Sequence, residues 1–406
     1  MFLPDAGKSD SDKSRLFRQT RAVQRSHSWL GLLVGFGTLM AGPAWADDDA
    51  QRSAATIIVA THDSSARAKK LADFVGDGHS DQQEINEAIQ ALPPAGGSVQ
   101  LMAGTYDIRK VEETLGGVLI DRSHVLLVGQ GAATKLVLAA NQNTNVVRII
   151  GSGVGHITVR DLHVDANRQQ NSAGRGDPKI SHDRFEYCGI KAFYTHPGGP
   201  RGNRNHNITI ENCHVYDAHR LGIMLEGANM RVLNNVLGNA GSDSVEILTG
   251  PGEIRGNIVE ITGQTHVAIG SDRGDSIIMA DNIVRVKAGG KLDIGFRSWA
   301  ESRRHVIANN VLTVDPEGEC TQAMDVRGTG AVVTGNSIHS SHSDRRMRLS
   351  VTGGNTVLTG NLLENLVLEI HDTTDEGKLI LVGANLLDNA TLDHKRGRLR
   401  RIATSE

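Results

Sequence analysis

The amino-acid sequence predicts an all-β fold, a right-handed single-stranded parallel β-helix with a helix that caps its N-terminal end. One observation is a phrase that recurs from about residue 145, in which two apolar-alternating stretches flank an Asn and a Gly or polar turn follows. A second is the spacing of these Asn residues, 22 to 28 positions, with period-2 alternation inside each unit. Such a period is typical of stacked coils of short parallel strands. The third is composition, because 46 Gly in 406 residues disfavour helix bundles and coiled coils.

Composition and charge exclude several kinds of partner. The formal net charge of the chain is −3, which argues against a protein that binds nucleic acid or another polyanion by charge alone. Only 3% of the residues are aromatic, so a base-stacking surface is not expected either. The three Cys are too few and too scattered for a disulfide framework or a zinc cluster.

The first 46 residues are predicted to form a signal peptide. Residues 1–28 are polar and basic, and the apolar stretch Trp29–Ala41 that follows is shorter than the roughly 20 residues of a membrane-spanning helix. Residues 44–46 (AWA) then give a small-x-small cleavage pattern ahead of three Asp. We therefore predict an exported protein, periplasmic or secreted, with no permanent membrane span and with a linker over 47–69.

A helix is predicted near residues 81–92, ahead of the first coil. A Gly-Asp-Gly turn leads into it and Ser80 is the predicted N-cap. The apolar face of this helix carries Ile85, Ala88, Ile89 and Leu92. A solenoid needs a cover of this kind, because its first coil otherwise exposes apolar core to water.

The recurring Asn residues are predicted to be structural. Asn tolerates the left-handed backbone conformation of a turn, and its amide can pair with the Asn one coil away to form a ladder. The predicted ladder consists of Asn212, Asn235, Asn257, Asn282, Asn310, Asn336 and Asn361. Leucine-rich repeats share the period but need an L-x-x-L-x-L scaffold, and a propeller blade needs about 40 residues. We therefore predict one solenoid domain over residues 70–392.

The C-terminal segment 393–406 is predicted to be a basic, disordered tail. It is rich in Lys and Arg and has few apolar residues, so burial cannot offset the entropy that is lost on ordering it. Its deletion is then expected to leave the melting temperature almost unchanged.

Charged residues recur on one face of the predicted solenoid. In a β-helix each position lies about 4.8 Å from the same position of the next coil, so functional residues form columns. When the strands that follow each turn are aligned, the second and fourth positions are apolar and the first, third and fifth point outward. The outward face then carries Lys191, Glu226, Asp243, Glu246, His266, Arg297 and Arg327. Such a surface suits an acidic polysaccharide, because Arg and Lys neutralise uronate carboxylates and a Lys or His can abstract the sugar C5 proton.

One long insertion interrupts the repeat. Residues 167–206 are rich in Gly, Pro, Arg and His on both sides of the strand at 189–193. Long loops on a solenoid usually form one wall of a binding groove. The residues of this insertion that are predicted to bind substrate are His182, Arg184 and Tyr187.

Three stretches resemble the opening coils of a known group of proteins. They are DFVGDGHSDQQEINEAIQALPPAGGSVQLMAGTYDI (73–108), VLLVGQGAATKLVL (125–138) and ITVRDLHVDANRQQN (157–171). They resemble right-handed β-helix proteins of the pectate-lyase-like superfamily, which include polygalacturonase-related proteins and mannuronan C5-epimerase modules. The resemblance covers residues 70–370 and implies the β-helix fold and an acidic, uronate-containing polysaccharide as partner.

The catalytic motifs of this superfamily are missing from the matching positions. Mannuronan epimerases carry Tyr-Gly-Phe-Asp-Pro-His on one coil, where this chain has LGIMLE at 221–226. Polygalacturonases need an Asp-Asp pair and a Gly-His-Gly, and the chain offers Asp243 and Glu246 without either motif. Alginate and pectate lyases use Lys or Arg as base and acid, often with Ca²⁺. The residues compatible with lyase chemistry are Lys191, Glu226, Glu246, Arg297 and Arg327.

Three hypotheses follow for the function, and the protein is expected to be a monomer. The preferred one is a lyase or epimerase of a uronate polysaccharide, in which Lys191 or His266 removes the C5 proton and Arg297 holds the carboxylate. Glu226 and Asp243 would then orient the base or hold Ca²⁺, the one cofactor considered. The second hypothesis is a glycoside hydrolase with Asp243 and Glu246 as acid and nucleophile. The third is a non-catalytic polysaccharide-binding protein of the cell surface.

Overall fold

A computed structural model describes residues 55–112, 114–151, 153–171, 187–192, 205–344, 346–371, 379–396 and 398–402. The predicted signal peptide lies outside these ranges. Among the described residues, no helix is long and apolar enough to cross a membrane.

Short parallel strands wind into a solenoid in which successive coils add one strand to each of three sheets, so the predicted all-β parallel fold is confirmed. The first sheet consists of Phe74–Val75, Ala55–Ala60, Gly97–Leu101, Val125–Val128, Gly155–Arg160, His206–Glu211, Ala228–Leu233, Gly252–Arg255, Ile277–Ala280, Val306–Ala308, Val332–Thr334, Val357–Thr359, Leu379–Gly383 and Arg398–Ile402. The second consists of Gly104–Ile108, Thr134–Leu138, His163–Asp165, His214–Tyr216, Val236–Gly238, Ile258–Ile261, Ile283–Val286, Val311–Val314, Ser337–Ser340, Leu362–Glu364 and Leu386–Asp388. The third consists of Gly116–Ile120, Asn145–Ile149, Ile190–Ala192, Ile223–Leu225, Asp243–Ile247, Gln264–Ser271, Lys291–Ser298, Glu319–Val326, Met347–Val351, Leu366–His371 and Thr391–Arg396.

Alternation along the strands builds one continuous core. In one coil Ile254, Val259 and Ile269 are fully buried, whereas their neighbours Glu253 and Glu260 point outward. Burial of one such apolar side chain contributes about 1.5–3 kcal/mol. Because adjacent coils provide this burial, each coil is stable only between its neighbours.

An Asn ladder fixes the turn between the first and second sheets. It consists of Asn235, Asn257, Asn282, Asn310, Asn336, Asn361 and Asn385, and the Nδ2 of each residue but the last donates to the Oδ1 of the next at 2.8–3.0 Å. Each Nδ2 also donates to a main-chain carbonyl of the preceding coil, as Asn282 does to Ile254 at 2.9 Å. The buried amides are therefore fully paired, which removes the cost of burying them.

The prediction that Asn212 belongs to the ladder was wrong. Asn212 has a φ of 52°, and it occupies the left-handed turn position that Asn234 fills one coil later with a φ of 55°. Cys213 takes the ladder position, and its backbone N–H donates to the Oδ1 of Asn235 at 2.9 Å. In the pair Asn234-Asn235 the first residue occupies the left-handed turn and the second belongs to the ladder. The spacing between repeats alone does not show which of the two roles an Asn has.

The N-terminal end of the solenoid begins earlier than predicted. The segment taken as a linker contains the strand Ala55–Ala60, which pairs with Gly97–Leu101, and a short helix at Ala66–Leu71. The predicted helix is present at Gln82–Ala91, and its buried Ile85 and Ile89 belong to the same apolar cluster as the first coils.

The N-cap of this helix is Asp81 rather than Ser80. Ser80 has a φ of 59° and so lies in the turn itself. The Asp81 carboxylate accepts from the backbone N–H groups of Gly78 and Asp107, both at 2.9 Å, and thereby ties the turn to the first coil. A 3₁₀ turn at Gly131–Ala133 completes the helical elements of the described residues.

The prediction of a disordered C-terminal tail was wrong over residues 393–396 and 398–402. Thr391–Arg396 pairs in parallel with Leu366–His371, and Arg398–Ile402 pairs with Leu379–Gly383. The open edge of the preceding coil supplies hydrogen-bond partners for any backbone, so composition alone does not decide order here. Lys395 adds ion pairs to Glu369 and Asp393, each at 3.3 Å.

We expect the Asn282→Ala variant to lose about 3 kcal/mol of unfolding free energy, because buried ladder partners on both sides lose their hydrogen bonds. Guanidinium denaturation of the purified protein measures this. The control is Asn234→Gly, which removes an exposed Asn at a left-handed position that Gly adopts without strain. Equal stability of the two variants would contradict a stabilising ladder.

A chain that ends after Asn389 should melt several degrees below the full-length protein. Its loss uncovers the core residues Leu368, Ile370 and Ile380, which are now at most 1% exposed. Differential scanning calorimetry measures the change, with a chain that ends after Ile402 as control. If both truncations melt like the full-length protein, the last coil adds no stability.

Candidate functional site

One outward column of the third sheet holds three of the predicted site residues, Lys191, Glu246 and Arg297. In register along the solenoid it consists of Arg148, Lys191, Met224, Glu246, Gly270, Arg297, Asp325 and Ser350. An alignment of the strands by their apolar positions alone puts Ala268 and Gly295 in this column instead. The strands at Gln264–Ser271 and Lys291–Ser298 are eight residues long, so aligning their apolar positions shifts them by two residues.

Arg297 is the hub of a buried ion cluster in this column. Its Nη2 lies 2.6 Å from the Oδ2 of Asp243, 3.1 Å from the Oε1 of Glu246 and 2.7 Å from the Oδ1 of Asp272. The side chains of Arg297, Asp243 and Glu246 are at most 8% exposed, while that of Asp272 is 33% exposed. Three of the predicted residues, Asp243, Glu246 and Arg297, therefore contact one another. Asp272 is a fourth member of the cluster, which the sequence did not reveal.

Gly270 leaves room for this hub. It lies between Glu246 and Arg297 in the column, so the arginine must pass over it to reach a carboxylate two coils away. A Cβ placed on Gly270 would come within 3.4 Å of the Arg297 Nε and 3.3 Å of Val267. Because Gly270 has no side chain, the Arg297 side chain can extend over it toward Glu246.

The cluster contains more negative than positive groups, and its pKa values change accordingly. Burial raises the pKa of Glu246 well above its ordinary value, and Asp243 and Asp272 raise it further against the opposing effect of Arg297. Burial also raises the pKa of Asp243, although Arg297 lowers it. Burial disfavours the Arg297 cation, but the carboxylates outweigh this and raise its pKa. The cluster therefore holds a proton on Glu246 to a higher pH than an exposed carboxyl would.

Lys191 and Glu226 are also buried on this face. Lys191 is fully buried on the strand Ile190–Ala192, two coils before Glu246 in the column. Glu226 follows the next strand, and its Oε1 lies 3.5 Å from Arg273 Nη2. Both side chains would have to become exposed before a polymer could contact them.

His266 lies at the accessible edge of the same sheet. Its Nδ1 is 2.9 Å from the Oδ2 of Asp293, one coil further on, and both side chains are about half exposed. When Nδ1–H donates to that carboxylate, Nε2 is the unprotonated nitrogen of the neutral ring. The pair therefore has the arrangement of an oriented general base.

An open groove of about 420 Å³ continues the column toward the C-terminus. It is lined by Ala300, Gln322, Asp325, Arg327, Thr329, Arg348, Ser350 and Thr352. The Nε of Arg327 donates to both carboxylate oxygens of Asp325, at 3.0 and 2.9 Å, and its guanidinium lies 4.0 Å above the ring of Trp299. These contacts hold an exposed cation at a fixed place.

The residues predicted in the insertion remain largely untested. Tyr187 is half-buried just before Ile190–Ala192, and its carbonyl accepts from the backbone N–H of Arg220 at 3.2 Å. His182 and Arg184 lie outside the described residues.

The site residues that the sequence did not single out are Asp272, Asp293, Trp299, Asp325 and Arg348. Correct register would have revealed Asp293 and Asp325, because they are the coil neighbours of His266 and Arg297.

The geometry does not favour the hydrolase hypothesis. Asp243 and Glu246 approach the same nitrogen at 2.6 and 3.1 Å, so these oxygens are less than about 6 Å apart, near the separation in retaining glycosidases. The guanidinium of Arg297 fills the space where a glycosidic oxygen would have to enter. No group of three or more His, Cys, Asp and Glu side chains in the described ranges is arranged to hold a metal ion, and Ca²⁺ stays a prediction.

No family model matches the chain. Its sequence is 30% identical over 152 residues to alginate lyase 7 of Azotobacter vinelandii, which covers 36% of this chain and 16% of that protein. It is 30% identical over 213 residues to mannuronan C5-epimerase AlgE4 of the same organism, 49% of this chain and 34% of the relative. With mannuronan C5-epimerase AlgE5 the identity is 37% over 110 residues, 25% of this chain and 11% of the relative. The chain thus spans about a third or less of the length of these relatives.

Solved structures show the fold. The A-module of A. vinelandii mannuronan C5-epimerase AlgE6 superposes with a TM-score of 0.52 at 20% identity, over 81% of this chain and 97% of the module. The chain shares the β-solenoid fold of this epimerase module. A mutant of DFA-IIIase from Arthrobacter chlorophenolicus, in complex with DFA-III, has a TM-score of 0.51 at 12% identity, over 84% of this chain and 86% of that one. The resemblance to mannuronan C5-epimerases stated from the sequence is confirmed.

The pH dependence of stability should report the ion cluster. The folded-state pKa of Glu246 is raised, so its contribution to stability is fully present below its unfolded pKa and is lost as pH rises through the folded value. Glu246→Gln cannot ionise, so its stability relative to wild type should increase from pH 4 to pH 8. Urea unfolding across this range measures the difference. Glu260→Gln, an exposed residue of the second sheet, is the control, and a difference that stays constant or decreases would contradict the raised pKa.

Proposed function

We propose that this protein acts on a uronate polysaccharide by abstracting the C5 proton, as a lyase or an epimerase. One observation carries the proposal: the third sheet bears an oriented His–Asp pair and, two coils further on, an open groove with a fixed exposed arginine. The sequence similarity to an alginate lyase and to mannuronan C5-epimerases supports the choice of substrate. The signal peptide predicted at 1–46 fits such a substrate, since it would bring the protein to polysaccharides outside the cytoplasm.

Arg327 is assigned to the carboxylate of a sugar other than the one that reacts at His266. It lies two coils from His266 and six residues further along the strand direction, roughly 20 Å at about 3.3 Å per residue, so one sugar cannot contact both. Arg297 was predicted for this role, but its Nη2 already contacts three carboxylates, and its side chain is buried. Arg327 is 41% exposed and lines the groove, so its guanidinium can reach a ligand there.

The base is assigned to His266, with Lys191 as the alternative. His266 is accessible and is oriented by Asp293, and in the tautomer that donates from Nδ1 its Nε2 can accept a proton. Lys191 is fully buried and would have to be neutral to act.

Two outcomes follow from the same first step. The base takes the C5 proton, and the electron pair is delocalised into the adjacent carboxylate of the same sugar. In a lyase this pair forms a C4–C5 double bond while the C4–O bond breaks and the leaving oxygen takes up a proton. In an epimerase a proton returns to C5 from the opposite side of the ring.

A second candidate function is binding of the polysaccharide without catalysis. The burial of Lys191, Asp243 and Glu246 favours it, because three of the predicted catalytic residues are closed off from a polymer. Binding without any exchange at C5 is the expected behaviour of such a protein.

The decisive experiment is incubation with alginate, pectin and glycosaminoglycans in D₂O. Ultraviolet absorbance of an unsaturated uronate reports a lyase, and deuterium at C5 of intact chains reports an epimerase. If neither signal appears with any polymer while one is retained on an affinity column, the catalytic proposal is wrong and the binding function remains.

Substitutions then separate the two bases. His266→Gln should lower kcat by about 100-fold or more, since a positioned general base contributes that much. The control is His339→Gln, because His339 forms a similar exposed pair with Glu364 on the second sheet. Full activity of His266→Gln would reject His266, and loss in Lys191→Met with normal folding would assign the base to Lys191.

The carboxylate assignment has its own test. Arg327→Ala should raise KM and lower kcat/KM for the uronan that is turned over, because a charge-assisted contact is lost. Arg285→Ala is the control, since Arg285 is equally exposed, at 41%, but pairs with Glu260 on the second sheet. Unchanged kinetics in Arg327→Ala would move the carboxylate site elsewhere.

A further inference from the structure

A second groove lies on the first sheet, and none of its residues belongs to the third-sheet site. It crosses successive coils from Asn207 to Ile278 and has a volume of about 590 Å³. Concave sites of this size accommodate ligands as large as a short oligosaccharide.

One wall of the groove presents amide groups in fixed positions. Asn207 and Asn229 occupy the same left-handed corner on adjacent coils, with φ values of 52° and 57°. The Nδ2 of Asn229 donates to the Oδ1 of Asn207 at 3.0 Å. Because the backbone and this hydrogen bond hold both amides, their donors and acceptors are ordered before any ligand binds.

The other wall is a column of four residues on consecutive coils. Thr209, Arg231, Glu253 and Ile278 follow one another in register. The Nε of Arg231 lies 3.1 Å from the Oε1 of Glu253, so the two charges neutralise each other. The half-buried Ile278 adds an apolar contact at the end of the column.

We propose that this groove binds an uncharged stretch of a glycan chain. Neighbouring sugar hydroxyls donate and accept hydrogen bonds, and the amides, the Thr209 hydroxyl and the Arg231–Glu253 pair supply matching partners. The C–H side of a sugar ring can pack on Ile278. The lining carries one cation and one anion, Arg231 and Glu253, whereas the third-sheet groove carries two cations and one anion, so this groove offers an acidic chain no net positive charge.

The proposal is independent of the reaction at the third sheet. A protein with both sites would hold a neutral glycan on one sheet while another sheet contacts an acidic one. The two sites share no side chain, so a defect in one leaves the other measurable.

Isothermal titration calorimetry of the full-length protein tests whether the first-sheet groove binds a neutral glycan. The probes are the β-1,4-linked hexasaccharides of glucose, mannose and xylose, with hexamannuronate as the acidic comparison. At least one neutral probe should bind. Asn229→Gly should weaken that binding by about tenfold without backbone strain, and Thr209→Trp, which fills the groove, should abolish it.

Matched controls come from the same columns. Asn355→Gly changes the same corner in a later coil, where the φ is 59°, and Thr158→Trp changes the coil before Thr209. Neither residue lines the groove, so both variants should bind like wild type. The proposal is overturned if no neutral probe binds, if the groove variants bind like their controls, or if hexamannuronate binds as tightly and is displaced by Thr209→Trp.

Discussion

In-register stacking of coils is the constraint on which the rest of this structure depends. Parallel backbone hydrogen bonds set adjacent coils about 4.8 Å apart, and the same register continues through eleven strands of the second and third sheets. Since the core of each coil is buried by its neighbours, a register error would expose apolar side chains in several coils at once. The same register therefore aligns both the Asn ladder inside the solenoid and the charged column outside it.

The sequence predicted the architecture because the fold is periodic. Alternation and the Asn spacing both follow from one repeating unit, so many coils report the same pattern. The failures lie where the pattern is degenerate or ends. Asn212 was misplaced because consecutive Asn residues have two different roles, and residues 393–396 and 398–402 were misjudged because a polar strand can still pair with the edge of the coil before it.

The candidate site was predictable in its residues but not in its geometry. Asp243, Glu246 and Arg297 were identified as outward charges, and they do contact one another. Their burial was not foreseen, because a side chain that points away from the core can still be covered by its neighbours. Asp272 and Trp299 were missed since they stand at or just beyond strand ends, where alternation no longer marks the outward positions.

The Arg297 hub also affects how the solenoid holds together. In most solenoids stability is a sum of coil and nearest-neighbour terms, so coils can fray one at a time from an end. Arg297 contacts carboxylates two coils away, past Gly270, and so adds a coupling between next-nearest neighbours. The coils from Asp243 to Arg297 are thereby linked beyond nearest neighbours, so unfolding of the Arg297 coil leaves buried carboxylates two coils away without their cation. A glycine in an outward column thus lets a one-dimensional stack carry a longer-range coupling.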